Sequence, residues 1–443
     1  MTVFAQKMDR WSIRFFDFRK KHPGEKPFFP LCLETGQKLK QPVGDVILLQ
    51  TGCAQPQNMK GEYITVNSKK WNLGIAYSIG AIWFGSHVGG GFASGNQAWN
   101  FMGRFGAAGI AISLFAMVLV GVAGREILLS AKLHKSGNYR EWAKEAYTPI
   151  QTFGAIFFEL QVWCLYILAS SGAVAGCAAL LESYGVPYLA GVVLTGGSLV
   201  LISIFGGEVY RKASAYMTAV LLVCLAIVYL VILIPGIPQY AANAAELKSA
   251  STASAWDLIW SGCKYAGFQI FGFINMTSLA KNWKKSEITA GTLIGFVLNA
   301  GMLALSIVCL ICWAPIAGNT TIPILTTLQT LEKTWVTVIY SVALFLAFVS
   351  TAAGAVFATV ARVYPFTAKM KGSETGKSAV IAVAFIVITM LVSLAGLDAI
   401  VKIGYSWVGV FAVFSIIGWA IVVLLPRNLK AGREGLLEET EAE

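Results

Sequence analysis

The sequence predicts an all-α integral membrane protein: ten transmembrane helices in two sets of five, an inverted repeat whose first and sixth helices are interrupted. Three observations predict it. The chain has 443 residues, 56% hydrophobic and only 13% charged, with a mean hydropathy of +0.66, whereas soluble domains carry about 25% charged residues. Its apolar stretches run about 20 to 30 residues, enough for a helix to cross a hydrocarbon core about 30 Å thick. Its basic residues alternate from loop to loop. Alternating ten-residue strands are absent, so a transmembrane barrel is not expected.

In chain order the spans are expected at 72–103 (interrupted), 105–130, 149–180, 187–206, 209–235, 256–281 (also interrupted), 287–314, 334–362, 377–397 and 399–425. The loops after even-numbered spans, with the stretch before span 1, hold 19 basic residues, and the odd-numbered loops hold 4: Arg104, Lys248, Lys333 and Lys402. A missed or invented span would scramble that alternation. The positive-inside rule then places both termini in the cytoplasm of a multi-pass protein of the cell membrane. The net charge of +11 is parcelled into these loops, so no nucleic-acid partner is expected. The partners implied are the lipid bilayer and a small-molecule substrate, and oligomeric state is not legible.

Residues 1–70 are polar and aromatic without an apolar h-region, so they are not a signal peptide. They are expected to be a poorly ordered cytoplasmic extension, with Met59 as an alternative start, or else a small regulatory or interfacial segment. Residues 71–426 form the ten-helix domain, and 427–443 an acidic, solvated cytoplasmic tail. Six of the eight cysteines lie in apolar segments, where a free cysteine acts as a small hydrophobe. Cys309 and Cys312 form a C-x-x-C mid-span, outside any βαβ context. Metalloprotease, hydrolase and P-loop motifs are absent, so neither an enzyme nor an ATP-driven pump is expected, and no cofactor.

The stretch "GSHVGGGFASG", Gly85 to Gly95, puts five glycines into eleven residues of an apolar span. Each costs a helix interior roughly 1 kcal/mol relative to alanine. Unpaired backbone at membrane depth survives only inside protein or beside a water-filled cavity, so the break implies a use. The first half-helix is expected to end near Phe84, freeing carbonyls around Gly85 and Val88. The second is expected to start near Gly91, aiming the amides of Gly89, Gly90 and Gly91 at a cavity with the positive end of a helix dipole. Ser86, His87 and Phe92 lie in the same stretch, and His87 can donate, accept or titrate near neutral pH. A glycine-rich packing face is the competing explanation. Span 6 repeats the pattern more weakly, Gly267 and Gly272 bracketing Phe268 and Gln269. Because five is odd, the second set of five runs with opposite topology and the site is expected between the two opening helices.

Among intramembrane ionisable groups, which are functional candidates by default, Glu159 is expected roughly 15 Å into span 3, near the midplane. Lys264 lies on the outer side of span 6, to pair, bind a carboxylate or snorkel. Both are candidates for charge coupling. Tyr166, seven residues past Glu159, shares its helix face.

The stretch "VGGGFASGNQ", Val88 to Gln97, resembles the YkvI-like membrane proteins of the LeuT fold in the amino acid–polyamine–organocation superfamily, over roughly residues 71–425. It departs at Gln97, where an acidic residue is expected. The resemblance implies a secondary transporter, a sodium-coupled symporter of an amino acid or similar small organic solute. A proton-coupled transporter and a non-transporting ligand sensor on the same fold are the alternatives. Sodium-coupled members imply a cation site made by carbonyls of Gly85 and Val88 with span 8, where "AFVST" supplies the Ala347 carbonyl and the Ser350 and Thr351 hydroxyls. The fold also implies a span-3 tyrosine near the substrate, here Tyr166.

Overall fold

The glycine-interrupted and apolar stretches pack as a bundle in which, among the described residues, every element is helical. The structure, a computed structural model, describes residues 72–205, 207–367 and 371–437, with side chains from 205 to 219 outside that description. The N-terminal extension with Lys69 and Lys70, the side chains of Arg211 and Lys212, Lys369 and the end of the acidic tail therefore lie outside the described residues.

The first expected span is α1 (Leu73–His87), α2 (Gly90–Ala93) and α3 (Asn96–Phe101). Then come α4 (Ala108–Leu133), α5 (Tyr139–Ala146), α6 (Gln151–Glu182), α7 (Tyr188–Phe205) and α8 (Gly207–Ala250). The sixth expected span is α9 (Ala255–Gln269), α10 (Phe271–Ile274) and α11 (Thr277–Ala280). The chain ends with α12 (Lys285–Cys312), α13 (Ala314–Ala317), α14 (Pro323–Thr330), α15 (Thr334–Val363), α16 (Glu374–Ser393) and α17 (Leu397–Arg433). Among the described residues, seven helices are long and apolar enough to cross a membrane: α4, α6, α8 from Val220, α12, α15 (counted on to Thr367), α16 and α17. α7 is apolar over Tyr188–Ile204 but shorter.

Two expectations are corrected. The fifth span does not end at Pro235, because α8 continues through Pro235 and Pro238 to Ala250. A proline inside a helix removes one bond and crowds another carbonyl; here Trp313, just past α12, meets an α8 carbonyl in that stretch, and Asn243 of α8 in turn ties down the end of α12. Trp313 Nε1 donates to Ile232 O at 3.0 Å, and Asn243 Nδ2 donates to Ile311 O and Cys312 O at 3.0 and 2.9 Å. The acidic tail does not begin as free chain either. Leu436 N–H bonds Ala431 O at 2.9 Å with Gly435 at φ 73, and Leu437 is buried, a Schellman-type close.

Small residues set the closest helix contacts, as expected where lipid offers no hydrophobic drive between helices. α12 packs along α1 and α4, and a Cβ on Gly80 would stand 2.9 Å from Gly295 N. α9 packs on α17, where a Cβ on Gly267 would stand 2.1 Å from Gly409 O. One end of the bundle, here the basic end, is tied by Asn72 N–H to Glu287 Oε1 at 2.9 Å, Asn428 Nδ2 to Glu126 Oε2 at 2.8 Å and Arg427 Nη2 to Thr148 O at 2.6 Å. α5 docks there through buried Trp142 and Ala146, its N-terminus capped by Asn138. At the opposite end, α14 meets the first span, Ile324 N–H bonding Ser94 O at 3.3 Å.

Candidate functional site

The break in the first span is real and sharper than expected. α1 runs to His87, one turn past the expected end, because Val88 N–H still reaches Phe84 O at 3.0 Å. Val88 then leaves the helix at φ −86, ψ 73, and Gly89 is extended at φ −95, ψ −178. Gly89 N–H turns back to His87 O at 3.0 Å, and helical bonding resumes with Ala93 N–H to Gly89 O at 2.9 Å. Among the described residues, no backbone donor meets the carbonyls of Gly85 and Val88, the two acceptors the sequence singles out. The second half departs from expectation. Gly95, at φ 83, divides it into one turn, α2, and the six residues of α3. Only glycine takes that conformation without strain. The amides of the break therefore act with the dipole of a single turn, not of a long half-helix.

His87 is pinned between three helices. Its Nδ1 lies 2.5 Å from Asn299 Oδ1 on α12, and its Nε2 lies 2.7 Å from Tyr265 Oη on α9. Asn299 Nδ2 donates to Gly295 O at 2.7 Å, which turns Oδ1 toward His87. Nδ1 therefore carries the proton, and Nε2 accepts from the tyrosine hydroxyl. Both ring nitrogens are used, and the side chain is buried.

The sixth span is tightened rather than opened. Gly267 lies inside α9, and the interruption comes after it, at Ile270 and again at Asn275–Met276. There Phe273 N–H bonds Ile270 O and Met276 N–H bonds Phe273 O, both at 3.0 Å. The torsions at Ile270, Asn275 and Met276 stay right-handed helical. Gly267 is used for approach to Gly409, which corrects its expected place at the substrate.

A cavity of about 460 Å³ lies against both interrupted spans. Gly85, Ser86, His87, Val88, Gly89, Gly90, Gly91, Tyr166, Phe268 and Gln269 line it, and so do Ala347, Ser350 and Thr351 of α15. The expected cation ligands thus converge on one space. A Cβ on Gly89 would stand 3.3 Å from Thr351 Oγ1, and Thr351 Oγ1 donates to Ala347 O at 2.9 Å. That local bond uses one of the two lone pairs on the carbonyl. Gly90 also serves packing: a Cβ there would lie 2.2 Å from the Phe348 ring.

Four sequence candidates do not line the cavity. Phe92 is fully buried, its ring 4.9 Å from that of His87. Gly267 is packed as described, and Lys264 stays on α9, its backbone against Gly409. Glu159 lies toward the basic end, not at an isolated midplane position. It accepts from Tyr139 Oη at 2.7 Å and Arg140 Nη2 at 2.8 Å, both from α5, and stands 3.6 Å from Arg362 Nε. An unforeseen helix packed on α6 brought Tyr139 and Arg140, and α15 brought Arg362.

In overall fold the chain is similar to MhsT. The crystal structure of MhsT in complex with L-phenylalanine aligns with a TM-score of 0.51 at 16% sequence identity, covering 78% of this chain and 88% of that one. This likeness shows a shared fold, the LeuT-like class to which the sequence resemblance pointed. A structure of Mhp1, a nucleobase-cation-symport-1 family transporter, closed and with bromovinylhydantoin bound, aligns with a TM-score of 0.49 at 13% identity over 82% of this chain and 81% of that one. No protein-family model and no curated protein matches the sequence.

Sequence reasoning missed Arg362, Phe348, Tyr405 and Asn275, which also line the cavity. For Arg362 a signal existed. Thr351, Gly354, Ala355, Ala358 and Arg362 fall at helical spacing on one face, a stripe of small residues ending in a charge that had been counted with the loops.

At the end opposite the basic one, hydrogen bonds tie the first span to α15, to the chain before α14 and to α17. Tyr340 Oη donates to Ala93 O at 2.7 Å, and Asn96 Nδ2 donates to Thr321 O at 2.9 Å and Asp398 Oδ1 at 2.5 Å. The cavity lining runs along α15 as far as Arg362.

Proposed function

We propose that the chain is a secondary transporter of the LeuT fold, a sodium-coupled symporter of an amino acid or similar small organic solute. The observation that carries this reading is the convergence of Gly85, Val88, Ala347, Ser350 and Thr351 on one cavity beside a break that leaves two carbonyls unpaired. Five oxygens of partial charge suit a hard monovalent cation. The amides and neutral side chains beside them suit the polar groups of a solute, and Phe268 and Phe348 offer it apolar surface. MhsT with L-phenylalanine bound supports a small amino-acid-like solute.

In this reading α1–α3 and α9–α11 are the first and sixth of ten spans, and the two sets of five form an inverted repeat. The basic end faces the cytoplasm, as the loop charges imply. The cavity, with the first span tied to α14 and α17 at one end and its lining extending toward the basic end, is then an inward-facing state of alternating access. The "VGGGFASGNQ" stretch allies the chain with the YkvI-like proteins. Proton coupling is the less favoured alternative, because both nitrogens of His87 are engaged and Glu159 is ion-paired. A ligand sensor is separated from a transporter by counterflow in proteoliposomes, since a sensor binds without accumulating. The reading is tested by Ser350→Ala with Thr351→Ala, which leaves the ion three carbonyls. Sodium-dependent binding is expected to fall far more than in Ser393→Ala, and equal loss in the two would count against it.

A further inference from the structure

Arg362 enters the cavity wall about three helical turns beyond Thr351, roughly 16 Å along α15. Its side chain is only 9% exposed, and it is the only charged residue lining the cavity among the described residues. Two rings hold the guanidinium, with Cζ 4.6 Å from the Tyr139 centroid and 4.3 Å from that of Tyr166. Nε donates to Tyr139 Oη at 2.7 Å and stands 3.6 Å from Glu159 Oε1. The terminal amino groups are different: among the described residues, neither Nη1 nor Nη2 has a protein acceptor. The charge is also unbalanced. Glu159 already takes Arg140 Nη2 at 2.8 Å, so two guanidinium groups share one carboxylate. A buried charge with unused donors calls for an anion, and a planar fork held in one orientation suits the two oxygens of a carboxylate.

We propose, resting on the transporter reading above, that Arg362 is a recognition group for a carboxylate on the solute, which its two terminal amino groups bind where the cavity meets the basic end. This subsite is separate from the amides of the break. A solute moving between break and basic end meets one anchor at each end of the space. The two tyrosine rings and the Nε–H bond to Tyr139 Oη hold the fork when the solute is absent, so little side-chain freedom is lost on binding.

The test uses matched pairs differing only at the acid: phenylacetate with phenylacetamide, succinate with succinamide, and L-phenylalanine with L-phenylalaninamide. Binding to the purified full chain is read by calorimetry, and uptake of the same compounds is followed in proteoliposomes. Wild type is expected to prefer an acid over its amide by about tenfold or more, the weight of a hydrogen bond to a charged group. Arg362→Gln is expected to erase that preference, Arg362→Lys to keep part of it as a point charge, and Lys402→Gln to leave it intact. An acid preference that survives in Arg362→Gln overturns the proposal, as does a wild type indifferent to the acid. If Arg362→Gln does not fold, the wild-type comparison and Arg362→Lys still decide. Uptake of amides with no acid preference overturns this inference and leaves the transporter reading standing. Absence of both binding and uptake for every pair overturns both.

Discussion

His87 shows how a residue that looks like a proton carrier can be a strut. Its ring joins α1 to α9 and α12 through Tyr265 and Asn299. Asn299→Ala would strand a buried N–H, a loss of about 1–3 kcal/mol. We expect a lower thermal midpoint in detergent, and an unchanged midpoint would show that the tether carries no weight. Gly89 is the second residue to test. Its hypothetical Cβ meets only Thr351 Oγ1, at 3.3 Å, so Gly89→Ala is expected to fold normally while weakening cation-dependent binding severalfold. Equal sodium response in mutant and wild type would place the cation away from Thr351. Of these features the sequence carried Gly85, Val88 and the hydroxyl pair, because glycine clusters and local spacing are legible in one dimension. It did not carry Tyr265, Asn299 or the partners of Glu159. Those depend on how α9, α12 and α5 meet α1 and α6, and no local pattern encodes that.

Among elements, the interrupted helices separate by what their glycines do. The first span opens into extended backbone at Gly89, whereas α9–α11 stay right-handed and tighten to i→i−3 bonds. Gly267 looked like Gly89 in the sequence because both sit beside aromatic and polar residues mid-span. Their surroundings differ: open cavity beside one, the Gly409 backbone 2.1 Å from a Cβ on the other. Gly267→Ala is therefore expected to destabilise by about 1–3 kcal/mol or more, since backbone cannot give way as a side chain can. Solute affinity per folded molecule should change little. A stable Gly267→Ala protein with lost binding would restore the glycine to the site. The continuation of α8 past two prolines has the same origin: helix-breaking residues are visible in the sequence, but the Trp313 side chain that meets the Ile232 carbonyl comes from a residue 81 positions away, just past α12.

For the molecule as a whole, composition and apolar run lengths were enough to announce an all-helical, multi-pass membrane fold. The short helices α5, α13 and α14 were not drawn, because one or two turns bury too little surface to mark the sequence. Yet α5 supplies Tyr139 and Arg140 at the basic end, and α14 meets the first span at the opposite one. Orientation is testable by itself. A cysteine placed at Lys248 is expected to react with an impermeant reagent from outside the cell only, and labelling from the cytoplasmic side alone would invert the topology. Sodium coupling is the central claim, and proteoliposome uptake tests it most directly. A labelled small amino-acid-like solute is offered under an inward sodium gradient, then under equal potassium and proton gradients. The account predicts accumulation under sodium alone, lost when Ser350 and Thr351 are both alanine. Equal accumulation driven by potassium, or by a proton gradient alone, would contradict it.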